Sequence, residues 1–351
     1  MVVGSWQEGN GLRGGRLGKS GRTGHGGIVT IGGGTGQAAV LAALKGVRAT
    51  AIVGVTDDGG HSGMLRRVLG IPQVGDLRSC LAAIAPADNP VAELLRHRFT
   101  RGSIEGTSTG NLMLAALATA RGSLTRAAIE LGRAAGVAVR VLPVSDASAA
   151  VCALLADGKG VKGEWAIIGR RNLSPIVSVH HEPALPATPE VIDAMRQCAA
   201  AIICPGSLWT GIGSVLAARG VRAVLGRRPV VYVANLMVQP GQTDGMDAAA
   251  HVAAVRRMLG REPDAVVINT GVPPPQLLRL YARHASSPVP APKPWPAHWI
   301  TRDLTEGPTA EELKRYARAG QFKRQWPHFI RHDRKKLAAA LRSALRGLGI
   351  H

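Results

Sequence analysis

The sequence predicts an α/β fold, a three-layer Rossmann-like arrangement around a mainly parallel sheet. Three observations predict it. Short, continuous, β-branched runs recur along the chain, as in strands buried on both faces. Each run ends abruptly in Gly, Asn, Asp or Ser, and a helical stretch often follows. The 351 residues are 46% hydrophobic and 19% charged, which is ordinary globular composition and ample for a large core.

Taken in order, Ile28-Val-Thr-Ile31 ends in Gly32-Gly-Gly-Thr-Gly36, and residues 37–45 read as a helix. The run 51–55 ends in Thr56-Asp57-Asp58-Gly59-Gly60. The run 201–204 ends in Pro205-Gly206-Ser207 and is followed by a helix to about Arg219. The run 230–234 ends in Asn235, with a loop to Gly245 and a helix to about Met258. The run 265–268 ends in Asn269-Thr-Gly271, with a helix to Tyr281. Between these, 76–85, 89–98, 109–120 and 124–135 have helical spacing, with Asp76, Asp88 and Thr109 as expected N-caps. Residues 137–142, 163–168 and 176–179 read as short strands of a small peripheral sheet. Residues 285–297 are Pro-rich and irregular, and 334–346 is a basic terminal helix.

Three regions result: a Gly- and Arg-rich tail over 1–27, a nucleotide-binding α/β domain over 28–312, and a basic segment over 313–351 packing on or near it. The net charge is +20, of which +3 falls in the tail and +10 in the basic segment. Aromatic residues are only 3%, so the basic and aromatic interleaving of single-strand nucleic-acid binders is missing. Nucleic acid is therefore not the expected partner. No apolar stretch is long enough for a membrane span, and the tail has no apolar core of a secretory signal. Cys80, Cys152, Cys198 and Cys204 are widely spaced and read as buried thiols of a reducing compartment. The expectation is a cytoplasmic protein, for which a homodimer is one allowed assembly.

In open α/β sheets ligands bind beyond the carboxyl ends of the strands, where all five polar clusters fall. Gly32, Gly33, Gly34, Thr35 and Gly36 join a strand to a helix, where backbone N–H groups and the helix dipole suit a phosphate. The dinucleotide pattern G-x-G-x-x-G fails, since Gln37 holds its third position. Gly18-Lys19-Ser20 imitates a P-loop, but Arg13 stands where the first glycine is needed. Asp57 and Asp58, followed by Gly59, Gly60, His61 and Ser62, form a loop that can wrap a ligand, with carboxylates suited to a hard cation. Arg78 is a candidate phosphate clamp. Asn111, Ser207, Asn235 and Thr243 offer amide and hydroxyl groups for a phosphate, sugar or ribose. Tyr281 offers an aromatic face and Arg331 a guanidinium. No Ser-His-Asp order, metalloprotease motif or nucleophile elbow is present.

In sequence order, the strings I-V-T-I-G-G-G-T-G-Q (28–37), A-I-V-G-V-T-D-D-G-G-H-S-G-M-L-R (51–66), G-D-L-R-S-C (75–80), T-G-N-L (109–112), P-G-S-L-W-T (205–210), N-L-M-V-Q-P-G-Q-T-D (235–244) and F-I-R-H-D (329–333) resemble the YvcK family of gluconeogenesis factors. That family is similar in fold to CofD, the 2-phospho-L-lactate transferase of deazaflavin coenzyme biosynthesis. The resemblance spans about residues 28–345. It implies a regulatory protein of carbon metabolism and cell shape that binds a nucleotide sugar such as UDP-N-acetylglucosamine. The alternative it implies is a CofD-like transferase. Such an enzyme moves a phosphorylated small acid from a guanosine nucleotide to a deazaflavin, with Mg²⁺ on Asp57 and Asp58. The low aromatic content favours the binding protein, because a flat tricyclic acceptor calls for aromatic walls. The chain departs from the family pattern at His61, which replaces a serine, and at Ser79, which replaces an amide. Trp209 and Gly211 replace a tyrosine and a serine, and Gln242 replaces a carboxylate.

Overall fold

The computed structural model describes residues 26–312 and 329–351. The Gly18-Lys19-Ser20 imitation, nearly all of the 1–27 tail and residues 313–328 of the basic segment lie outside the described residues. The elements follow the predicted alternation. Strand β1 (Ile28–Gly32) leads to α1 (Gly34–Ala43) and β2 (Ala49–Val53). Helices α2 (Gly60–Leu69), α3 (Gly75–Ile84), α4 (Pro90–Arg96), α5 (Thr109–Arg121) and α6 (Leu124–Ala134) then precede β3 (Arg140–Pro143). A small antiparallel sheet follows, made of β4 (Ala150–Leu155), β5 (Gly160–Lys162) and β6 (Ile176–Glu182), with α7 (Glu164–Ile168) between the last two. The second half runs α8 (Pro189–Gln197), β7 (Ala200–Ile203), α9 (Ser214–Ala217), α10 (Val221–Leu225), β8 (Val230–Val233), α11 (Ala248–Leu259), β9 (Ala265–Asn269) and α12 (Pro275–Ala282). It closes with β10 (Trp299–Arg302), the antiparallel pair β11 (Thr305–Glu306) and β12 (Arg331–His332), and α13 (Arg334–Gly347).

The main sheet has the order β10-β9-β8-β7-β1-β2-β3, and every neighbouring pair is parallel. Its inner strands β1, β2, β7, β8 and β9 are buried on both faces, and alternation divides them between two cores. Ile28, Ala200, Ile202, Val231, Val233 and Val267 face Leu277 of α12 and Leu337 and Leu341 of α13. Val29, Ile31, Ala201, Ile203, Tyr232 and Val266 face the other layer, which includes Leu77 and Leu81 of α3 and Val252 and Val255 of α11. These are the three predicted layers. Gln37 is fully buried, and its Nε2 donates to the carbonyls of Thr30 and Ile52, 3.1 Å each, tying the first turns of α1 to β1 and β2.

Several local readings are corrected. Residues 164–168 are a helix, not a strand. Gly163, at φ 96°, turns the chain out of β5, and Asp58 Oδ1 then accepts from Trp165 N at the helix N-terminus, 3.1 Å. Residues 137–142 do not join the peripheral sheet; the strand there is β3, the edge of the main sheet beside β2. The centre of the small sheet is β4, whose alternation the sequence reading passed over. The caps are each displaced: Val74 precedes α3, Asn89 caps α4 and Ser108 caps α5, in place of Asp76, Asp88 and Thr109. The helix expected after Ser207 is two pieces, a widened turn over Leu208–Gly213 and then α9. Strand β10, beyond the Pro-rich stretch, was also missed.

Candidate functional site

The chain runs β1, β2, β3 outward in one direction, then returns so that β7 pairs with β1 and β8, β9 and β10 extend the other way. The strand order therefore reverses between β1 and β7, and a crevice opens there. A cavity of about 320 Å³ lies at the carboxyl ends of these strands, lined by Gly32–Gly36 from one side and Gly206 and Ser207 from the other. The two turns touch: a Cβ on Gly36 would stand 1.9 Å from the Pro205 carbonyl oxygen.

The β7 turn is held by Asn235 at the end of β8. Its Oδ1 accepts from Gly206 N at 2.7 Å and its Nδ2 donates to Gly206 O at 2.8 Å. Asn235→Ala would leave both half-buried Gly206 backbone groups without these partners. We expect a loss of about 1–3 kcal/mol in stability by chemical denaturation, with the β7 turn loosened. Gln242 braces the next turn. Its Oε1 accepts from Trp209 N and Thr210 N at 3.2 and 3.3 Å, and the Trp209 Nε1 donates to the Gln242 carbonyl at 3.1 Å. Trp209 and Gln242, two of the departures from the family pattern, are thus partners of one another.

The remaining wall is acidic. Asp57, Asp76 and Glu164 all line the cavity, with Thr56, Gln73, Ser79, Thr210 and Gln239. Glu164 Oε1 accepts from Thr210 Oγ1 at 2.7 Å, and its carboxyl stands close enough to that of Asp57 to feel its charge. Desolvation, reinforced by the neighbouring Asp57 charge, pushes Glu164 up to about 8 and Asp76 up to about 7. Asp57 is also raised, by burial first, against the hydrogen bond its carboxylate accepts from Gly59 N at 2.8 Å. Asp76 presses on the glycine turn, since a Cβ on Gly33 would meet its Oδ2 at 2.5 Å. Gln73 Oε1 accepts from Asp76 N at 3.1 Å, while its buried Nε2 has no hydrogen-bond partner among the described residues.

A second cavity, about 620 Å³, adjoins the first through Thr35, Gly36, Gly206 and Gln239, which line both. Asn235, Tyr281 and Arg331 line it too. Tyr281 is buried, and its hydroxyl accepts from Phe329 N and Ile330 N at 2.9 and 3.1 Å. Arg331 forms a two-pronged pair with Glu312, at 3.0 and 3.1 Å.

The expected residues thus divide. Gly32, Gly33, Gly34, Thr35, Gly36, Asp57, Ser207, Asn235, Tyr281 and Arg331 face the two joined cavities. Asp58, Gly59, Gly60, His61, Ser62, Arg78, Asn111 and Thr243 lie outside their linings. Asp58 caps α7, and the Trp165 indole packs where a Gly59 side chain would be. Gly60 and His61 open α2. Ser62 Oγ accepts from Val74 N and Gly75 N at 3.1 and 2.9 Å, anchoring the turn that delivers Asp76. Arg78 Nε donates to Asn111 Oδ1 at 3.3 Å, and Thr243 Oγ1 accepts from Gln239 N at 2.8 Å. The sequence reading missed Glu164 as a site residue and weighed Asp76 only as a cap.

The chain is similar to several known proteins. The family model described as "2-phospho-L-lactate transferase CofD" matches residues 28–294. A protein of Thermotoga maritima named "Putative gluconeogenesis factor" is 40% identical over 230 residues, 64% of this chain and 73% of that one. The "Gluconeogenesis factor" of Bacillus subtilis is 40% identical over 234 residues, covering 65% and 73%. The corresponding alignment with a Deinococcus radiodurans relative covers only 50% of that protein. A crystal structure of a UPF0052-family protein from Bacillus halodurans superposes with a TM-score of 0.79 at 29% identity, covering 91% of this chain and 99% of its own.

Proposed function

The chain belongs to the CofD family, alongside the gluconeogenesis factors, and on that premise we propose that it is a regulatory protein that binds a nucleotide sugar of the UDP-N-acetylglucosamine type. The observation that carries this reading is the crevice between β1 and β7, where two glycine turns converge at the point of strand reversal. The diphosphate sits on the backbone N–H groups of residues 33–36 at the N-terminus of α1. The Nε2 of Gln73, without a partner among the described residues, supplies a further donor. One cavity takes the sugar and the adjoining larger one takes the nucleoside, with Arg331 at its wall. Binding would report precursor supply to carbon metabolism and cell-shape control. Among the described residues no helix is long and apolar enough to cross a membrane.

The acidic wall favours a second reading, that of a transferase using Mg²⁺. Hard oxygen donors fit that ion, which is usually held by one or two carboxylates together with ligand phosphates and water. Asp57 is the member of the Asp57–Asp58 pair that faces the cavity, with Glu164 lining the same wall. When bound, the ion would neutralise phosphate charge. The protein residues orient the phosphate on the glycine turn and keep the acids in reach.

A thermal-shift panel separates the two. UDP-N-acetylglucosamine, GDP, GTP and NAD are each tested with and without Mg²⁺. A rise in Tm with the UDP-sugar alone is expected. A rise only with a guanine nucleotide and Mg²⁺ supports the transferase, and no rise with any of them removes both.

A further inference from the structure

Away from the crevice, one face of the small sheet gathers three side chains of metal-ligating type. Cys152 of β4 stands directly opposite His180 of β6 in the antiparallel register. Glu182 lies two residues further along β6, so strand alternation puts it on the same face. The Cys152 Sγ, a ring nitrogen of His180 and a carboxylate oxygen of Glu182 all lie within 4.8 Å of one another. His180 Nε2 is 3.5 Å from Glu182 Oε1. The other Glu182 oxygen accepts from Lys162 Nζ at 2.9 Å, which leaves Oε1 as the ligating oxygen. Among the described residues no other group of three His, Cys, Asp or Glu side chains comes this close together.

We propose that Cys152, His180 and Glu182 form a three-ligand site for a thiophilic divalent metal, with Zn²⁺ the best fit. The donor set decides the class. A thiolate and an imidazole select Zn²⁺ and its neighbours over Mg²⁺ or Ca²⁺, which want oxygen alone. Metal–ligand bonds of about 2.0–2.3 Å place the corners of a tetrahedron roughly 3.3–3.8 Å apart. The His180–Glu182 separation of 3.5 Å already falls in that range, and all three ligand atoms lie within 4.8 Å of one another. The metal takes the thiolate, and the thiol proton passes to solvent. A fourth position would be left to water.

The site would clamp β4 to β6, and this bears on the crevice. Gly163, the residue after β5, donates to the Val151 carbonyl of β4 at 2.8 Å, and Glu164 follows at once. On the opposite face of β6, His181 Nε2 meets Ser214 Oγ at 3.0 Å, which in turn meets Thr56 Oγ1 at 2.7 Å. Thr56 lines the crevice. A metal on this sheet therefore braces two walls of the ligand cavity without touching it.

The test uses the full chain, stripped with a chelator and titrated with Co²⁺ as the probe. The expected result is a thiolate-to-cobalt charge-transfer band that saturates at one ion per chain and is bleached by Zn²⁺. Cys152→Ser should abolish the band. His180→Ala, at an exposed position, should keep the fold and weaken binding more than about tenfold. Cys80, Cys198 and Cys204 are buried elsewhere and serve as internal controls. A band that survives in Cys152→Ser, or an affinity unchanged in His180→Ala, overturns the proposal. So does a wild-type protein with no saturable band. If Cys152→Ser fails to fold, the His180 variant decides.

Discussion

Gly36→Ala is expected to weaken binding of UDP-N-acetylglucosamine by roughly 10- to 100-fold and to lower stability by about 1–3 kcal/mol, the usual cost of overpacking. The added Cβ would meet the Pro205 carbonyl oxygen at 1.9 Å and its carbon at 2.7 Å, both backbone atoms. Neither turn can give way freely. Gly206 is locked to Asn235, and α1 is tied to β1 and β2 through Gln37. The clash must separate the two turns or tilt the start of α1, and either movement spoils the backbone N–H cradle. Isothermal titration gives the affinity and denaturation gives the stability. Gly160→Ala, in β5 where an added Cβ meets nothing, is the control and should match wild type. Wild-type affinity in Gly36→Ala would dismiss the crevice as the nucleotide-sugar site.

What the sequence made legible was whatever depends on a few consecutive residues. The glycine turn after β1 and Asp57 after β2 are local signals at strand ends, and topology alone carries them to one crevice, while the adjacent Asp58 turns away to cap α7. Glu164 was hidden for a different reason. It reaches the site from a peripheral sheet, more than a hundred residues from Asp57, on a helix of five residues whose start depends on Gly163 and on a cap from Asp58. No periodicity survives in so short an element. Asp76 was ambiguous because an acid in the first turn of a helix looks the same whether it caps, complements the dipole or faces a ligand. Ser62, Asn235 and Thr243 lie in recognisable motifs, yet the structure uses each to hold backbone in place. Motif strings mark the shell around a site as strongly as its lining.

The acidic wall sets the sign of the pH response, and this distinguishes the two functional readings. Glu164 rises from 4.5 to about 8 in the folded chain, and Asp76 from 3.8 to about 7. Both are raised, so between the unfolded and folded values the native state holds more protons than the unfolded one. Stability must then fall as pH rises, through about 4.5 to 8 for Glu164 and about 3.8 to 7 for Asp76. The ligand responds in the same direction when no metal is present. A diphosphate beside neutral carboxyls is tolerated, but beside ionised ones it is repelled, so affinity should drop by up to about tenfold per proton lost for each pH unit. Binding of the UDP-sugar without Mg²⁺ is therefore expected to weaken by an order of magnitude or more between pH 6.5 and 8.5. Glu164→Gln should flatten that slope and the upper part of the Tm profile. The amide oxygen can still accept from Thr210, but position 164 has no proton left to lose, so only the smaller contribution of Asp76, titrating at about 7, remains. With Mg²⁺ as an obligatory partner the order reverses. The ion competes with protons for the same oxygens, so affinity would climb with pH, and Glu164→Gln would lose binding at every pH. Titrations at three pH values, with and without Mg²⁺, for wild type and Glu164→Gln decide between them by the sign of one slope.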